Sequence, residues 1–186
     1  MTILNPKEAY PGYKAPIPTG VPEELRGYPQ WIVWKLEKAP SDKKPRKVPY
    51  SPVNHKRSGS NEKYRSTWGT FDQACQAYLA GGYGGISLAI TEADPFVVID
   101  FDHCVHDGQI EEWVEKWIEK LDSYTEISPS GTGIHILMRG KKPGAKGSGT
   151  RKLTAVKCHF SPLDDCSCHD HHYYSSRVQI SNQTCC

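Results

Sequence analysis

"PFVVIDFDHCVHDG", residues 95–108, runs from a β-branched apolar segment straight into two aspartates one residue apart, Asp100 and Asp102. Val97, Val98 and Ile99 are continuously apolar, the pattern of a central strand covered on both faces, and a strand is expected over 95–102. Side chains two apart on a strand share a face, so Asp100 and Asp102 project together while Phe101 points away. A rise of about 3.3 Å per residue sets their Cα atoms roughly 6.6 Å apart. Two carboxylates at that spacing can share one hard cation or bridge two. The competing reading is a strand end with two solvated aspartates. Against it stands the run "VVID", because an ionised carboxylate at the end of a buried strand needs a partner. An EF-hand loop is excluded. Counted from Asp100, its fifth position is Cys104 and its sixth Val105, where an oxygen ligand and a glycine are required.

The surroundings suit an α+β domain. "QWIVWKLEK" (30–38) reads as a strand, followed by a basic, proline-punctuated stretch (39–66) with a short extended piece at "KVPY". In "TWGTFDQACQAYLAGG", Thr70 is a helix N-cap, Phe71, Ala74, Cys75, Tyr78 and Leu79 recur at helical spacing, and Gly81 and Gly82 stop the helix. "GISLAIT" (85–91) is a further strand. "IEEWVEKWIEKLD" (110–122) is a helix whose Trp113, Val114, Trp117, Ile118 and Leu121 form one apolar stripe. "YTEIS" (124–128) and "GIHILMR" (133–139) read as a β-hairpin. Because these last two strands pair directly, the sequence favours an α+β domain over a doubly wound sheet.

The chain has 186 residues, enough for one domain with a core and an appendage, and its formal charge is +2. No signal peptide or membrane span is present in the pattern, so a soluble, cytoplasmic protein with reduced thiols is expected. Residues 1–29 hold six prolines and read as an extended arm, 30–150 as the core, and 151–186 as an atypical tail. Five of the seven cysteines fall in that tail and all five tryptophans lie before residue 118. Lys43, Lys44, Arg46, Lys47, His55, Lys56 and Arg57 form one basic stretch; Lys141, Lys142, Lys146, Arg151 and Lys152 form another. Either could follow a phosphate backbone or be a solvated loop.

A second motif, "YTEISPSGTGIHILMRG" (124–140), sets Ser128, Ser130, Gly131 and Gly133 before His135 on an apolar strand. Glycines let backbone N–H groups approach phosphates, and serine hydroxyls add donors. Each part alone also fits a plain hairpin turn and a hydrogen-bonded core histidine. "VVIDFDHCVHDG" by itself also resembles the haloacid-dehalogenase type of phosphatase, which ends a buried strand in D-x-D. Cys104, however, stands where that family usually has threonine, and the motif lies mid-chain instead of opening the fold.

Taken in order, "FVVIDFDH" and then "SYTEISPSGTGIHIL" resemble the archaeo-eukaryotic primase superfamily, and within it the phage- and plasmid-borne primase-polymerases. "PQWIVWKLE", "KVPYSP" and "STWGTFDQACQAYLAGGYGGISLAIT" extend the resemblance over about residues 22–145. It implies mixed sheets with an RRM-like half carrying the acidic motif, flanked by helices. Asp100 and Asp102 would hold two divalent cations, Mg²⁺ or Mn²⁺, and His135 would contact the triphosphate of the incoming nucleotide. Ser130 and Gly131 lie in the turn leading to it, and Lys47 is a candidate for nucleotide or template contact. The implied activity is that of a nucleotidyltransferase making or extending primers on single-stranded DNA, with nucleoside triphosphates as substrates, a replicative helicase as a possible partner, and no membrane. The alternatives are a nucleotide- or DNA-binding remnant without catalysis, and the phosphatase.

The sequence departs from the family where a third acidic residue is expected on a later strand. After "GKKPGAKGSGTRK" the chain continues as "LTAVKCHFSPLDDCSCHDHHYYSSRVQISNQTCC". Asp164 or Asp165 could substitute as the third carboxylate, in a loop-like context. Cys166, Cys168, His169, His171 and His172, with Cys158 and His159, could ligate zinc, but their spacing matches no paired-ligand pattern. A tail unrelated in origin to the core, read in a shifted frame, accounts better for the change in composition.

Overall fold

The alternation in "FVVIDF" decides which of its side chains leave water, and the neighbouring elements follow from that choice. The computed structural model describes residues 12–43 and 45–140 and the backbone of 157–158. The described residues form two compact units, one ending at Glu92 and one beginning at Ala93.

In the first unit, β1 (Trp31–Glu37) lies between β2 (Arg46–Tyr50) and β3 (Gly85–Leu88), antiparallel to both. Four consecutive residues, Trp31, Ile32, Val33 and Trp34, are buried, as a central strand requires. Within the proline-rich segment, a short helical turn, α1 (Glu23–Arg26), buries Leu25. The carbonyl of Leu25 accepts from the Trp31 indole at 3.1 Å. Helix α2 (Phe71–Leu79) starts at Thr70, as its sequence predicts, with a full capping box. The Thr70 hydroxyl accepts from the Gln73 backbone N–H at 3.2 Å, and the Gln73 side chain accepts from Thr70 N–H at 2.9 Å. Phe71 meets the Trp31 ring edge-on, with centroids 4.9 Å apart.

In the second unit, β4 (Phe96–Phe101) is followed by helix α3 (Glu112–Leu121), then by β7 (Tyr124–Ile127) and β8 (Ile134–Arg139). The hairpin folds β8 back between β7 and β4, antiparallel to each, which makes a split β-α-β unit. On the other side of β4, β9 (Lys157–Cys158) runs parallel to it, so the sheet is mixed, in the order β7-β8-β4-β9. The α+β reading is borne out, with an antiparallel neighbour where a doubly wound sheet would set a parallel one beside β4.

One face of this sheet is the core. Ile99 and Phe101 from β4, with Ile134 and Ile136 from β8, pack on Val114, Ile118 and Leu121 of α3. Trp113 and Trp117 complete the predicted stripe as half-buried flanks, and Trp113 meets Phe101 edge-on at 5.4 Å. The sequence reading missed the small hairpin β5 (Val105–His106) and β6 (Gln109–Ile110). Its turn residues, Asp107 at φ 53° and Gly108 at φ 81°, are an Asp-Gly pair in the left-handed region, a strong hairpin signal. Among the described residues no helix is long and apolar enough to cross a membrane.

Ile136 is fully buried where β8 meets α3, so Ile136→Ala should cost about 2–5 kcal/mol by emptying a packed site. Urea denaturation should show a lower midpoint with an unchanged slope. A loss under about 1 kcal/mol would mean that this face is not the core.

Candidate active site

The alternation that sends Phe101 into the core sends Asp100 to the other face of the sheet. Asp100 is only 4 % exposed. In register it stands opposite His135 on β8. The imidazole Nε2 lies 3.6 Å from Asp100 Oδ1, longer than a hydrogen bond but within ion-pair reach if the ring is protonated. Asp102 comes one residue after β4 ends and is exposed. The pair therefore combines a buried carboxylate on the strand with an exposed one just beyond it.

His135 has a second acidic neighbour that the sequence reading did not single out. Glu126 on β7 stands opposite His135 in register, and its Oε1 is 3.0 Å from Nδ1. Three adjacent strands thus carry Glu126, His135 and Asp100 in one row. Glu126 was legible only in principle, as the polar residue between Thr125 and Ile127, because facing His135 depends on strand register. Tyr124 donates its phenol hydrogen to Glu126 Oε2 at 2.8 Å. Burial, and secondarily the Glu126 charge, push the Tyr124 phenol far above its ordinary value, so it stays a donor across the working pH range.

The serine-glycine turn closes on the acidic strand end. Gly131 has φ +77°, and its N–H donates to the Ser128 carbonyl at 2.8 Å. Gly133 N–H donates to Ser128 Oγ at 3.1 Å. Both of these amides are therefore committed within the turn. What the turn presents outward is hydroxyls: Ser130 Oγ lies 2.9 Å from Ser128 Oγ and 3.1 Å from Thr132 Oγ1, and Ser130 and Thr132 are exposed. The Thr132 carbonyl accepts from the N–H groups of Cys104, at 2.9 Å, and Val105, at 3.1 Å. These two bonds tie the turn to the segment that follows Asp102. Cys104 is fully buried, and burial raises its thiol above the ordinary range, so it packs as a small apolar residue.

The structure brings Asp100, Asp102, Ser130, Gly131 and His135 into one unit, on two adjacent strands and the turn between β7 and β8. Lys47 belongs to the first unit, on β2, with its ammonium 5.3 Å from the centre of the Trp34 ring. Asp164, Asp165 and the proposed zinc ligands, Cys158 and His159 among them, have side chains outside the described residues. The donor set at Asp100 and Asp102 is hard oxygen, which fits Mg²⁺ or Mn²⁺. Among the described residues no three His, Cys, Asp or Glu side chains converge as a self-sufficient metal cage would need. Two carboxylates fit an ion that takes its other ligands from substrate phosphates and water.

Gly133 is required by contact as well as by sequence. A Cβ there would sit 2.6 Å from the Phe101 carbonyl oxygen and 3.7 Å from Asp102 Cα. Gly133→Ala must push the turn off the acidic strand end, at about 1–3 kcal/mol. Amide NMR shifts at Asp102, Cys104 and Val105 should move with it. Unchanged shifts and stability would show that the two segments are not in contact.

No family model matches the chain. The chain is 37% identical over 121 residues to a "DNA Primase-polymerase" of Nitratiruptor phage NrS-1, a match that takes in 64% of this chain and 16% of that protein. The chain thus corresponds to a minor part of the relative's length. A stretch of that extent necessarily includes the middle of this chain, where Asp100 and Asp102 lie. At that identity the matched stretch is homologous to part of a phage primase-polymerase, the family that the two motifs resemble.

Proposed function

We propose that this chain carries the catalytic domain of a DNA primase-polymerase, a nucleotidyltransferase that makes or extends primers on single-stranded DNA. One observation carries the reading: the β4–β8 register sets the acidic motif and the histidine motif side by side, Asp100 opposite His135, on the face turned away from α3. The likeness to the phage protein supports it independently.

Asp100 and Asp102 would hold the divalent cations, whose chemistry is to neutralise charge developing on the transferred phosphoryl group. His135 Nε2 would donate to the triphosphate of the incoming nucleotide, as it can when the ring carries hydrogen on both nitrogens. The hydroxyls of Ser130 and Thr132 stand at the same end of the strand as further donors. The reaction is attack of a primer 3′-hydroxyl on the α-phosphate, with pyrophosphate leaving. Arg46 and Arg57 are each paired with an acid, Asp42 and Glu37 respectively. Lys43, Lys47 and Lys56 are exposed beside them and would supply backbone contacts to the template strand, with salt-sensitive affinity.

Purified chain, given labelled nucleotide and a primed or bare single strand with Mn²⁺ or Mg²⁺, should incorporate label. Asp100→Asn or Asp102→Asn should each lower incorporation by at least about a hundredfold, as loss of a group that holds transition-state charge does. Binding of DNA and triphosphate without any incorporation would establish the non-catalytic alternative. Phosphate release from a small phosphomonoester through an aspartyl intermediate would overturn the proposal in favour of the phosphatase.

A further inference from the structure

Neither motif assigns a task to β7, yet that strand supplies a side-chain contact to His135 shorter than the one from Asp100. Glu126 Oε1 lies 3.0 Å from His135 Nδ1, whereas Nε2 is 3.6 Å from Asp100. The second contact is too long for a direct hydrogen bond, so the ring's orientation is set from the Glu126 side. A carboxylate only accepts, so Nδ1 carries the hydrogen of that pair and Nε2 is the nitrogen directed toward Asp100. Glu126 is itself anchored, because its other oxygen accepts from the Tyr124 phenol at 2.8 Å. Strand register fixes the row, since Glu126 and Asp100 both stand opposite His135 on the two strands that flank it. An incidental surface ion pair would not need the second anchor or the shared register.

We propose that Glu126, held by Tyr124, is the positioning residue of His135: it fixes the imidazole so that Nε2 faces the acidic end of β4. This deepens the proposed function and rests on His135 being a contact of the nucleotide triphosphate. Glu126 touches neither substrate nor metal in this account. It stands on the far side of the imidazole from Asp100, so it does not replace the third carboxylate.

The test uses the full chain and two readouts. In ¹⁵N spectra of the histidine ring nitrogens, with the His135 signals identified by their loss in His135→Ala, wild-type protein should show Nδ1 bearing hydrogen. Glu126→Ala should change that pattern, and Glu126→Gln should keep it, because the amide carbonyl still accepts. In nucleotide incorporation, Glu126→Ala should raise KM for the incoming nucleotide about tenfold, with a smaller change in kcat, as loss of a charge-assisted hydrogen bond implies. Glu126→Gln should recover most of that loss. In a His135→Ala background Glu126→Ala should cost nothing more, since the two act through one group. An unchanged ring-nitrogen pattern in Glu126→Ala would overturn the proposal, as would losses that add fully to those of His135→Ala. If the wild-type chain incorporates no nucleotide, the functional reading fails while the ring-nitrogen spectra still decide the positioning.

Discussion

The antiparallel pairing of β4 with β8 is the constraint on which the site depends. It is held by apolar alternation on both strands: Ile99 and Phe101 face Val114, Ile118 and Leu121 together with Ile134 and Ile136. A slip of one residue would turn His135 into that core and Ile134 or Ile136 out of it. The packing that makes the sheet stable therefore also fixes Asp100 opposite His135. A carboxylate as buried as Asp100 is costly to keep without compensating polar neighbours, and the cross-strand imidazole is placed to be one of them.

The turn between β7 and β8 adds a second constraint at the end of the same strands. Ser128 spends its carbonyl on Gly131 and its hydroxyl on Gly133, and Thr132 spends its carbonyl on Cys104 and Val105. The main chain of the turn is thus used to lock the loop against the acidic strand, with exposed hydroxyls left outward. The Gly131 and Gly133 amides, spent in this way, do not serve as the free amides of a phosphate cradle. The turn resembles a rigid shelf, with Gly133 tight against the Phe101 carbonyl because no side chain would fit.

Much of this was legible in the residues. The burial pattern of α3 followed from Trp113, Val114, Trp117, Ile118 and Leu121, and the Thr70 cap from one hydroxyl residue before an apolar repeat. The opposite facing of Asp100 and Phe101 needed only a period of two. What the sequence could not yield depends on register. Glu126 is one polar residue in a short strand, and its partnership with His135 exists only once β7 and β8 are paired residue against residue. The commitment of the Gly131 amide was hidden for a similar reason, since a Gly-Ser run signals backbone freedom and not where its N–H groups go. The β5–β6 hairpin is the exception, since the Asp107-Gly108 pair at its turn is a local signal that needs no register.

The central claim is that Asp100, Asp102 and His135 form one site for metal and nucleotide triphosphate. Crystals grown with Mn²⁺ and a non-hydrolysable deoxynucleoside triphosphate test it most directly, through the anomalous scattering of manganese. The account predicts manganese peaks bound by the Asp100 and Asp102 carboxylates, with the triphosphate within hydrogen-bond reach of His135 Nε2. Manganese and nucleotide bound elsewhere, with Asp100 and His135 contacting neither, would contradict it.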